Sequence, residues 1–416
     1  MRVLWFSNTQ AVGTNTGTGC SWIGSLESEL AKISTIKLGI SYITEQIGAV
    51  PYSDGKTIYY PISKKPARNK LHKLFLQLTH KIESEDKIGL YLDVIQDFKP
   101  DIIHIFGTES DFGLIIQKLQ IPCIIHIQGN LTVVKLKWFS GLSSVEIVKN
   151  SKKWHLIKGI GLYHDYFKIK KSAAREIQIF RTCRYFMGRT DWDRRLSSVL
   201  SWNSRYFHCD EIIRSEFYIN QWQPKNSPLN YVIHSTIMGS IYKGLETIFE
   251  CKQILNQCMP ESNIIWKIAG IDHGTEISTI VKNKFKTRFE DIGIKLLGRL
   301  QENELIDELL KSDLFVHASH IENSPNSVCE AMVLGMPVIA TYAGGTPSVL
   351  SDKSEGLLVQ DGDPYALAGA IIELLRDREF AKSLGVNARK KSLQRNDPKK
   401  IVNDVLSIYS SILSGN

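Results

Sequence analysis

The decisive stretch of this sequence runs from Ser319 to Thr341 and consists of SHIENSPNSVCEAMVLGMPVIAT. Ser324 is a favoured N-cap residue and Pro325 suits the first helical position, so we predict that a helix begins here. Gly335 is typical of a helix end. The apolar run 338–341 that follows is typical of a buried strand. The stretch therefore predicts a strand, a loop, a helix and a second strand.

Glu322 and Glu330 lie on either side of the predicted helix start, with Glu322 on the loop and Glu330 inside the helix. The first backbone N–H groups of a helix lack partners within it and attract anions such as phosphate, and here they belong to Asn326, Ser327 and Val328. Two acceptors around such a site suit a ligand with hydroxyls on both sides of a diphosphate, such as a nucleotide sugar. A surface helix with two solvated glutamates is the alternative.

This passage resembles the donor-binding segment of retaining glycosyltransferase family 4, part of the glycosyl transferases group 1. In that family a Glu-x7-Glu pattern is followed by Ala-Met-x-x-Gly-x-Pro-Val-Ile-Ala-Thr and then Gly-Gly, and residues 319–347 match nearly throughout. Ser348 stands where many members carry Glu. The resemblance implies a GT-B fold, in which two Rossmann-like doubly wound domains face each other across a cleft. It also implies a retaining glycosyltransferase that uses a UDP- or GDP-sugar donor and needs neither a metal nor another cofactor.

Length and composition place the chain among folded proteins with two domains. It has 416 residues, of which 43% are hydrophobic, and this length exceeds one ordinary core. Seven dispersed cysteines without a Cys-x-x-Cys pair indicate free thiols in a reducing compartment, rather than a zinc site or a disulfide framework. The first residues lack a signal-peptide pattern, and no apolar run approaches the ~20 residues that cross a bilayer. We therefore expect a cytoplasmic protein.

Apolar runs alternate with helical patterns in both halves of the sequence, which predicts an α/β fold with parallel sheets. The predicted strands cover 3–7, 36–42, 102–106, 121–127 and 185–188 in the first half, and 231–235, 264–270, 294–297, 314–318 and 337–341 in the second. A polar, proline-marked linker at 221–228 separates the two series. We predict an acceptor-side domain over 1–224 and a donor-binding domain over 225–397, with the C-terminal helix 398–416 packing back on the first domain.

Positive charge is concentrated in the first half of the chain. Residues 1–225 hold 31 Lys and Arg against 20 Asp and Glu, whereas the remainder holds 20 against 23. Between 149 and 195, 13 basic residues are interleaved with aromatic ones, namely Trp154, Tyr163, Tyr166, Phe167, Tyr185 and Phe186. This mixture suits an anionic membrane surface, where each Lys or Arg contributes about 1 kcal/mol. Charge alone would equally suit nucleic acid, and a solvated basic face is the plain alternative. We expect peripheral membrane contact and no nucleic-acid partner.

In each predicted domain, one further motif follows the first strand. The loop 13–19 contains Gly17 and Gly19, which let the backbone approach a ligand, although a flexible turn is the alternative. In family 4 the corresponding loop faces the donor phosphate and the acceptor. Lys243-Gly244 resembles the pair with which the family holds the diphosphate, and a cation there would stabilise the leaving group. An exposed lysine is the alternative.

The family often carries an arginine a few residues before this lysine, and residues 236–242 contain none. The phosphate charge would then rest on Lys243, on the helix start or on an arginine from elsewhere. Arg189, at the end of the strand 185–188, is the donor-binding candidate. An arginine engaged in a structural ion pair is the alternative for this position.

The remaining candidates lie on the acceptor side of the first predicted domain. Gln128 occupies the apparent position of the family's His-Gly histidine, where it would orient a sugar hydroxyl but cannot act as a general base. His126 lies two residues earlier on the same strand face, and His104 and Glu109 end the preceding strand. Single histidines in such strands are otherwise core residues.

We thus predict Glu322, Lys243 and Gln128 as the catalytic group, with Glu330 accepting the ribose hydroxyls and Glu322 those of the sugar. The resemblance implies front-face attack, in which the leaving phosphate helps to deprotonate the acceptor. That acceptor is expected to be a glycan or lipid-linked glycan in cell-surface polysaccharide assembly. The segment 361–363 has the form of an Asp-x-Asp metal motif, but it precedes a proline and is predicted as a turn and cap.

Two alternatives stay open at this point. One is a catalytically silent GT-B protein that binds a glycan or nucleic acid. The other is a GT-B sugar epimerase or phosphorylase, although the Glu-x7-Glu pattern matches these poorly.

Overall fold

The computed structural model describes residues 1–8, 22–63, 67, 69–81, 87–225 and 229–415. The chain forms two compact units. The first unit comprises Met1–Lys135, Phe167–Ile212 and Asn396–Asn416, and the second comprises Leu136–Tyr166 and Ile213–Arg395.

The first unit is built on an eight-stranded sheet with the order β3-β4-β2-β1-β5-β6-β7-β8. All neighbours are parallel except β3 and β4, which form an antiparallel edge pair. Its strands are β1 Arg2–Ser7, β2 Lys37–Thr44, β3 Tyr52–Asp54, β4 Thr57–Ser63, β5 Ile102–Phe106, β6 Cys123–His126, β7 Tyr185–Gly188 and β8 Arg205–His208.

Helices cover both faces of this sheet. Alternate residues of its central strands therefore pack into two different cores. Val3 and Trp5 lie in one buried cluster, whereas Leu4 and Phe6 lie in another. The last helix of the chain belongs to the first cluster, where Trp5 Nε1 donates a hydrogen bond to the Tyr409 hydroxyl at 3.2 Å. The helices are α1 Trp22–Leu30, α2 Lys70–Leu78, α3 Lys87–Phe98, α4 Leu131–Lys137, α7 Leu162–Thr182, α8 Asp191–Leu200 and α17 Pro398–Leu413, with a 3₁₀ helix at Phe112–Lys118.

The second unit is built on a six-stranded, wholly parallel sheet with the order β11-β10-β9-β12-β13-β14. Its strands are β9 Asn230–Thr236, β10 Asn263–Ala269, β11 Ile294–Gly298, β12 Leu314–His317, β13 Val338–Thr341 and β14 Leu357–Val359. The two central strands β9 and β12 are neighbours although about eighty residues lie between them, so the loops after them meet at one edge.

The helices of the second unit are α5 Ser144–Asn150, α6 Lys153–Ile157, α9 Ser215–Ile219, α10 Leu245–Cys258, α11 Glu276–Phe285, α12 Glu302–Leu310, α13 Asn326–Leu334, α14 Thr346–Val349, α15 Pro364–Arg376 and α16 Arg378–Arg395. Two 3₁₀ helices lie at Ile241–Lys243 and Glu290–Ile292. Helix α13 is almost wholly buried, with its residues 328–334 in the core. Parallel strands joined by helices confirm the α/β class that the sequence predicts.

The division of the chain differs from the predicted boundary at 224/225. Residues 213–224 belong to the second unit, because Phe217 and Trp222 are buried in its core. Residues 136–166 also belong to it, although they interrupt the sequence of the first unit. There the Glu276 carboxylate accepts a hydrogen bond from Leu162 N at 2.9 Å, and His155 Nδ1 lies 3.1 Å from it. Contacts between distant parts of the sequence decided this division, and no local signal marks it.

Candidate functional site

Helix α13 begins one residue later than the sequence predicts. Its N-cap is Pro325, not Ser324, and no side chain caps it. The Pro325 carbonyl accepts hydrogen bonds from Val328 N at 3.0 Å and Cys329 N at 3.1 Å. The prediction that the Val328 N–H group is unpaired is therefore wrong. The Pro325 carbonyl accepts the hydrogen bond from Val328 N that a capping side chain would otherwise accept. The Ser324 hydroxyl is therefore not needed as a cap.

Two backbone donors remain at the start of this helix. Within the described ranges, the N–H groups of Asn326 and Ser327 have no acceptor. They lie at the carboxyl end of β12, which is where open parallel sheets bind ligands. An arginine also reaches this helix start: Arg395 Nη2 donates a hydrogen bond to the Ser324 hydroxyl at 3.4 Å. Helix start and arginine together suit an anion such as phosphate.

Glu322 and Lys243 form an ion pair beside the helix start. The same carboxylate oxygen, Oε1, accepts from the Ser319 hydroxyl at 3.2 Å and lies 3.4 Å from His317 Nε2. Burial alone would raise the pKa of Glu322, but the Lys243 ammonium and the His317 ring outweigh it and hold that pKa well below its ordinary value. Burial would likewise lower the pKa of Lys243, and Glu322 instead raises it. Both groups are therefore charged at neutral pH.

Backbone geometry fixes the position of Lys243. It ends a 3₁₀ turn after β9, and Gly244 follows with a φ of 75°. A Cβ atom on Gly244 would lie 2.0 Å from the carbonyl oxygen of Ala318, on the segment that leads to Glu322. Only glycine allows this close approach, which explains physically why Lys-Gly stands here.

Glu330 projects from α13 and pairs with Arg214, which no sequence motif marks. Arg214 donates to Glu330 Oε1 through Nε at 2.9 Å, and its Nη2 lies 2.7 Å from the same oxygen. Burial raises the pKa of Glu330, and Arg214 offsets part of that effect. Arg214 lies in the segment before α9, far from any motif, so only its charge could have drawn attention to it.

A second polar group supports the loop between Ser319 and Glu322. His320 is buried, and its Nε2 lies 2.5 Å from Glu246 Oε1. Its Nδ1 lies 3.6 Å from Asp361, which accepts from Lys137 Nζ at 3.3 Å. Burial would lower the pKa of His320, but these two carboxylates raise it. The group holds the loop against α10.

The predicted turn at 361–363 is confirmed. The Asp363 carboxylate caps helix α15 by accepting from Tyr365 N at 3.0 Å and Ala366 N at 2.9 Å. Asp361 takes part in the His320 group, so the two aspartates serve separate structural purposes. In the ranges that the structure describes, no cluster of three or more His, Cys, Asp or Glu side chains could hold a metal ion.

The candidate residues of the first unit have different outcomes. Gly17 and Gly19 lie outside the described residues. Arg189 is buried and ion-paired with Glu211, and its Nη2 donates to the Gln128 carbonyl at 3.0 Å. The predicted donor-binding role of Arg189 is therefore replaced by the structural alternative, since its guanidinium already joins β7 to the loop after β6.

The two histidines are core residues, which corrects their expected place on the acceptor side. His104 is fully buried, its Nδ1 lies 2.6 Å from the Tyr409 hydroxyl, and burial lowers its pKa to about 3. His126 stacks against His104 at a centroid distance of 5.5 Å, and burial lowers its pKa well below the ordinary value. Both rings are therefore uncharged parts of the core.

Glu109 and Gln128 lie together at the carboxyl ends of β5 and β6. A Cβ atom added to Gly129 would lie 3.2 Å from Glu109 Oε1, and one added to Gly107 would lie 3.3 Å from Gln128 Cγ. Glu109 Oε2 is enclosed and makes no hydrogen bond within the described part of the chain. Burial raises the pKa of Glu109 to about 7, with the nearby Glu176 adding to the effect. The first unit thus offers a titratable carboxyl group beside the amide.

The basic, aromatic segment 149–195 is divided between the two units at 166/167. Phe186 is fully buried in β7, and the others are half-buried except Trp154, which is 47% exposed. None of the helices in the described ranges combines the length and the apolar character that crossing a bilayer requires.

The sequence is similar to known glycosyltransferase sequences. Residues 236–391 match the family described as Glycosyl transferases group 1. The chain is 31% identical over 147 residues to N-acetyl-alpha-D-glucosaminyl L-malate synthase of Bacillus anthracis, an alignment that covers 35% of this chain and 38% of that protein. It is 26% identical over 314 residues to a sulfoquinovosyl transferase of Arabidopsis thaliana, covering 72% of this chain and 54% of the relative. The matched part thus spans about half or less of these relatives.

Solved structures resemble the whole chain. Sucrose-phosphate synthase of Thermosynechococcus elongatus superposes with a TM-score of 0.71 over 100% of both chains at 16% identity. HepE of Anabaena, solved with UDP and glucose, superposes with a TM-score of 0.64 over 98% of this chain and 99% of the other at 15% identity. At such identities the likeness establishes the fold alone. The chain therefore has the GT-B fold, and its residues 236–391 match the glycosyl transferases group 1 family.

Proposed function

We propose that this protein is a retaining glycosyltransferase of the hexosyltransferase type, which moves a sugar from a nucleotide-sugar donor to a glycan or lipid-linked glycan. One observation carries the proposal. Two largely buried carboxylates, each held by a cation, flank the start of α13 at the carboxyl end of the second sheet. The arrangement fits a ligand with a diphosphate between two hydroxyl-bearing groups.

In this proposal the donor binds the second unit. The N–H groups of Asn326 and Ser327 and the Lys243 ammonium hold the diphosphate, with Arg395 at the same helix start. Ionised Glu322 accepts hydrogen bonds from hydroxyls of the sugar, and Glu330 accepts them from the ribose. A UDP- or GDP-linked sugar is the proposed donor. HepE, which has the same fold and was solved with UDP and glucose, supports the first of these.

The first unit supplies the acceptor side. Gln128 is proposed to orient a sugar hydroxyl through its amide. Glu109 lies beside it, and its pKa near 7 lets it donate a hydrogen bond when protonated and accept one when ionised. The glycine loop with Gly17 and Gly19 is proposed to face both substrates.

The proposed reaction retains the anomeric configuration by front-face attack. The bond between the anomeric carbon and the diphosphate oxygen breaks, and the acceptor oxygen forms its bond on the same face. The acceptor proton passes to the leaving diphosphate, whose negative charge Lys243 and the helix start stabilise. No metal ion or organic cofactor is part of this proposal.

The setting is proposed to be cell-surface polysaccharide biosynthesis at the cytoplasmic face of the membrane. Among the relatives are a putative teichuronic acid biosynthesis glycosyltransferase of Bacillus subtilis and a capsular polysaccharide biosynthesis glycosyltransferase of Staphylococcus aureus. These align over 86 and 101 residues and support the class of pathway, not a particular acceptor.

The test measures nucleotide release from a panel of UDP- and GDP-sugars with soluble glycan acceptors. We expect turnover with one donor, and a loss on the order of a hundredfold in kcat for Glu322→Gln. Turnover by neither protein with any donor would favour the silent binder. An absorbance band of pyridoxal phosphate would instead indicate the phosphorylase.

A further inference from the structure

Helix α2 carries an apolar stripe that no part of the described structure covers. None of its nine residues is buried. Leu71 is 78% exposed, Phe75 is 60% exposed and Leu78 is 47% exposed. Their spacing of i, i+4 and i+7 places all three on one face of the helix. Single exposed apolar side chains are ordinary, but three on one face of an otherwise unburied helix mark an interaction surface.

The helix is held in place with this stripe outward. The side chain of Asn69 caps its start by accepting from His72 N at 2.8 Å. At its other end Lys171 Nζ donates to the Thr79 carbonyl at 2.6 Å, and His80 stacks on Phe167 at a centroid distance of 4.8 Å. Helix α7, which provides these two contacts, thus supports α2 at one end without covering the stripe.

The charge around the stripe identifies its partner. Residues 64–81 contain six Lys and Arg and no Asp or Glu. Of these, Lys70 and Lys73 lie on α2 itself and are exposed, and Lys81 follows its last turn. Glu83, Glu85 and Asp86 follow in the sequence, but the charged side chains of α2 itself are all lysines. An apolar helix face beside such lysines is complementary to anionic lipid headgroups above acyl chains. Long lysine side chains reach such headgroups while the apolar residues enter the layer below.

We infer that helix α2 docks on an anionic lipid bilayer, with Leu71, Phe75 and Leu78 in the interface and the neighbouring lysines on the headgroups. The inference deepens the proposed function. The docking of α2 is argued from its exposure and charge, and only the link to a lipid-linked acceptor rests on the proposed function. It also replaces the segment 149–195 as the contact, because of the aromatic side chains singled out in that segment only Trp154 is exposed. The helix would hold the protein at the surface where a lipid-linked glycan is presented.

The test uses the full chain with vesicles of phosphatidylcholine alone and of phosphatidylcholine mixed with phosphatidylglycerol, in a sedimentation assay. We expect binding to the mixed vesicles that weakens as ionic strength rises, and little binding to neutral ones. The double variant Phe75→Ser/Leu78→Ser should bind mixed vesicles about tenfold more weakly. Val199→Ser is the matched control, since Val199 is 77% exposed on α8 of the same unit.

Equal binding of the double variant and the native chain would overturn the inference, and so would failure of the native chain to bind mixed vesicles. A native dimer that the double variant converts to a monomer, measured by light scattering, would assign the stripe to a second copy instead. Thermal unfolding of each variant verifies that it is folded. Turnover with a soluble acceptor, read from the same samples, separates the outcomes: vesicle binding without turnover would leave α2 docking intact and contradict the proposed function.

Discussion

Lys243 and Glu322 form an ion pair inside the second unit although 79 positions separate them in the sequence. Each lies on the loop that follows a strand, β9 for Lys243 and β12 for Glu322, and these strands are parallel neighbours. Adjacent parallel strands bring their carboxyl ends to one edge, so the two loops meet there. The ion pair thus joins the loop after β9 to the loop after β12, and both loops belong to the proposed donor site.

Removing one member of this pair should destabilise the protein more than removing both. Lys243→Met leaves Glu322 ionised and largely buried without its ammonium partner, and we expect a loss of about 3 kcal/mol in the free energy of unfolding. The double variant Lys243→Met/Glu322→Gln removes both charges and should recover most of that loss. Thermal unfolding of the native chain, of Lys243→Met, of Glu322→Gln and of the double variant measures the coupling.

Lys32→Met provides the control, because Lys32 pairs with Glu29 but keeps 67% of its side chain exposed. This change should alter stability by less than ~0.5 kcal/mol. A double variant as unstable as Lys243→Met alone would contradict the pairing.

Arg214 should make nucleotide binding resistant to mild acid. Burial raises the pKa of Glu330, and Arg214 counteracts this. Without the arginine the pKa rises further, so Glu330 takes up a proton at a higher pH than in the native chain and loses acceptor capacity for the ribose. For Arg214→Met we expect nucleotide affinity about tenfold below that of the native chain, with a larger deficit at pH 6 than at pH 8.

Calorimetric titration at the two pH values measures this difference. Arg288→Met is the control, since Arg288 lies in the same unit with 70% of its side chain exposed. A deficit that is the same at both pH values would show that Arg214 acts through packing and not through the charge of Glu330.

Glu109 should lower stability above neutral pH. Its folded pKa of about 7 lies above the ordinary value of 4.5. A carboxyl group whose pKa is raised on folding contributes no penalty below its unfolded pKa, and its cost grows as the pH rises from 4.5 through 7. Glu109→Gln removes this cost, which is about 2 kcal/mol once partial exposure is allowed for. The variant should therefore gain several degrees in Tm at pH 8 relative to the native chain, and little at pH 5.

Asp93→Asn, at an exposed position on α3, is the matched carboxyl-to-amide control and should show no such growth between the two pH values. If Glu109→Gln changed Tm equally at pH 5 and pH 8, the raised pKa would be wrong.

Gly244→Ala should disturb both stability and donor binding. The left-handed backbone at Gly244 and the 2.0 Å approach of an added Cβ to the Ala318 carbonyl leave no room for a side chain. We expect a loss of about 2 kcal/mol or more and weaker nucleotide binding, because the strain moves Lys243 relative to Glu322. Gly239→Ala is the control, since a Cβ there meets nothing within 4 Å. Comparable effects of the two substitutions on Tm would refute this geometry.

The sequence predicted well where local chemistry is decisive. The strand at 102–106, the strand at 185–188 and the helix end at Gly335 have the predicted bounds, because continuous apolar runs and a glycine with positive φ are local signals. It missed β3, β4, β8 and β14. The residues of β3 and β8 are mostly polar or exposed at the sheet edges, β4 contains Pro61, which argues against a strand, and β14 spans only three residues. The N-cap was misplaced by one residue because Ser324 and Pro325 compete for the same turn.

Candidate residues divided in the same way. Glu322, Glu330 and Lys243 could be singled out because their motifs are short and continuous, and the structure brings Glu322 and Lys243 into contact. Their roles in binding a donor stay predictions. His104, His126 and Arg189 were misjudged, because a strand pattern does not tell whether a polar side chain near its end faces solvent or the core. Arg214 was missed, because its partner Glu330 lies 116 positions away.

The sequence by itself determined the α/β class, the parallel sheets and the presence of the helix beside the two glutamates, since these follow from periodicity and from residues adjacent in the chain. Only the tertiary structure decided which cation neutralises which carboxylate, that residues 136–166 belong to the second unit, and that the stripe on α2 stays exposed. Pairing and burial depend on which distant elements share an edge or a core, and a one-dimensional pattern does not contain that information.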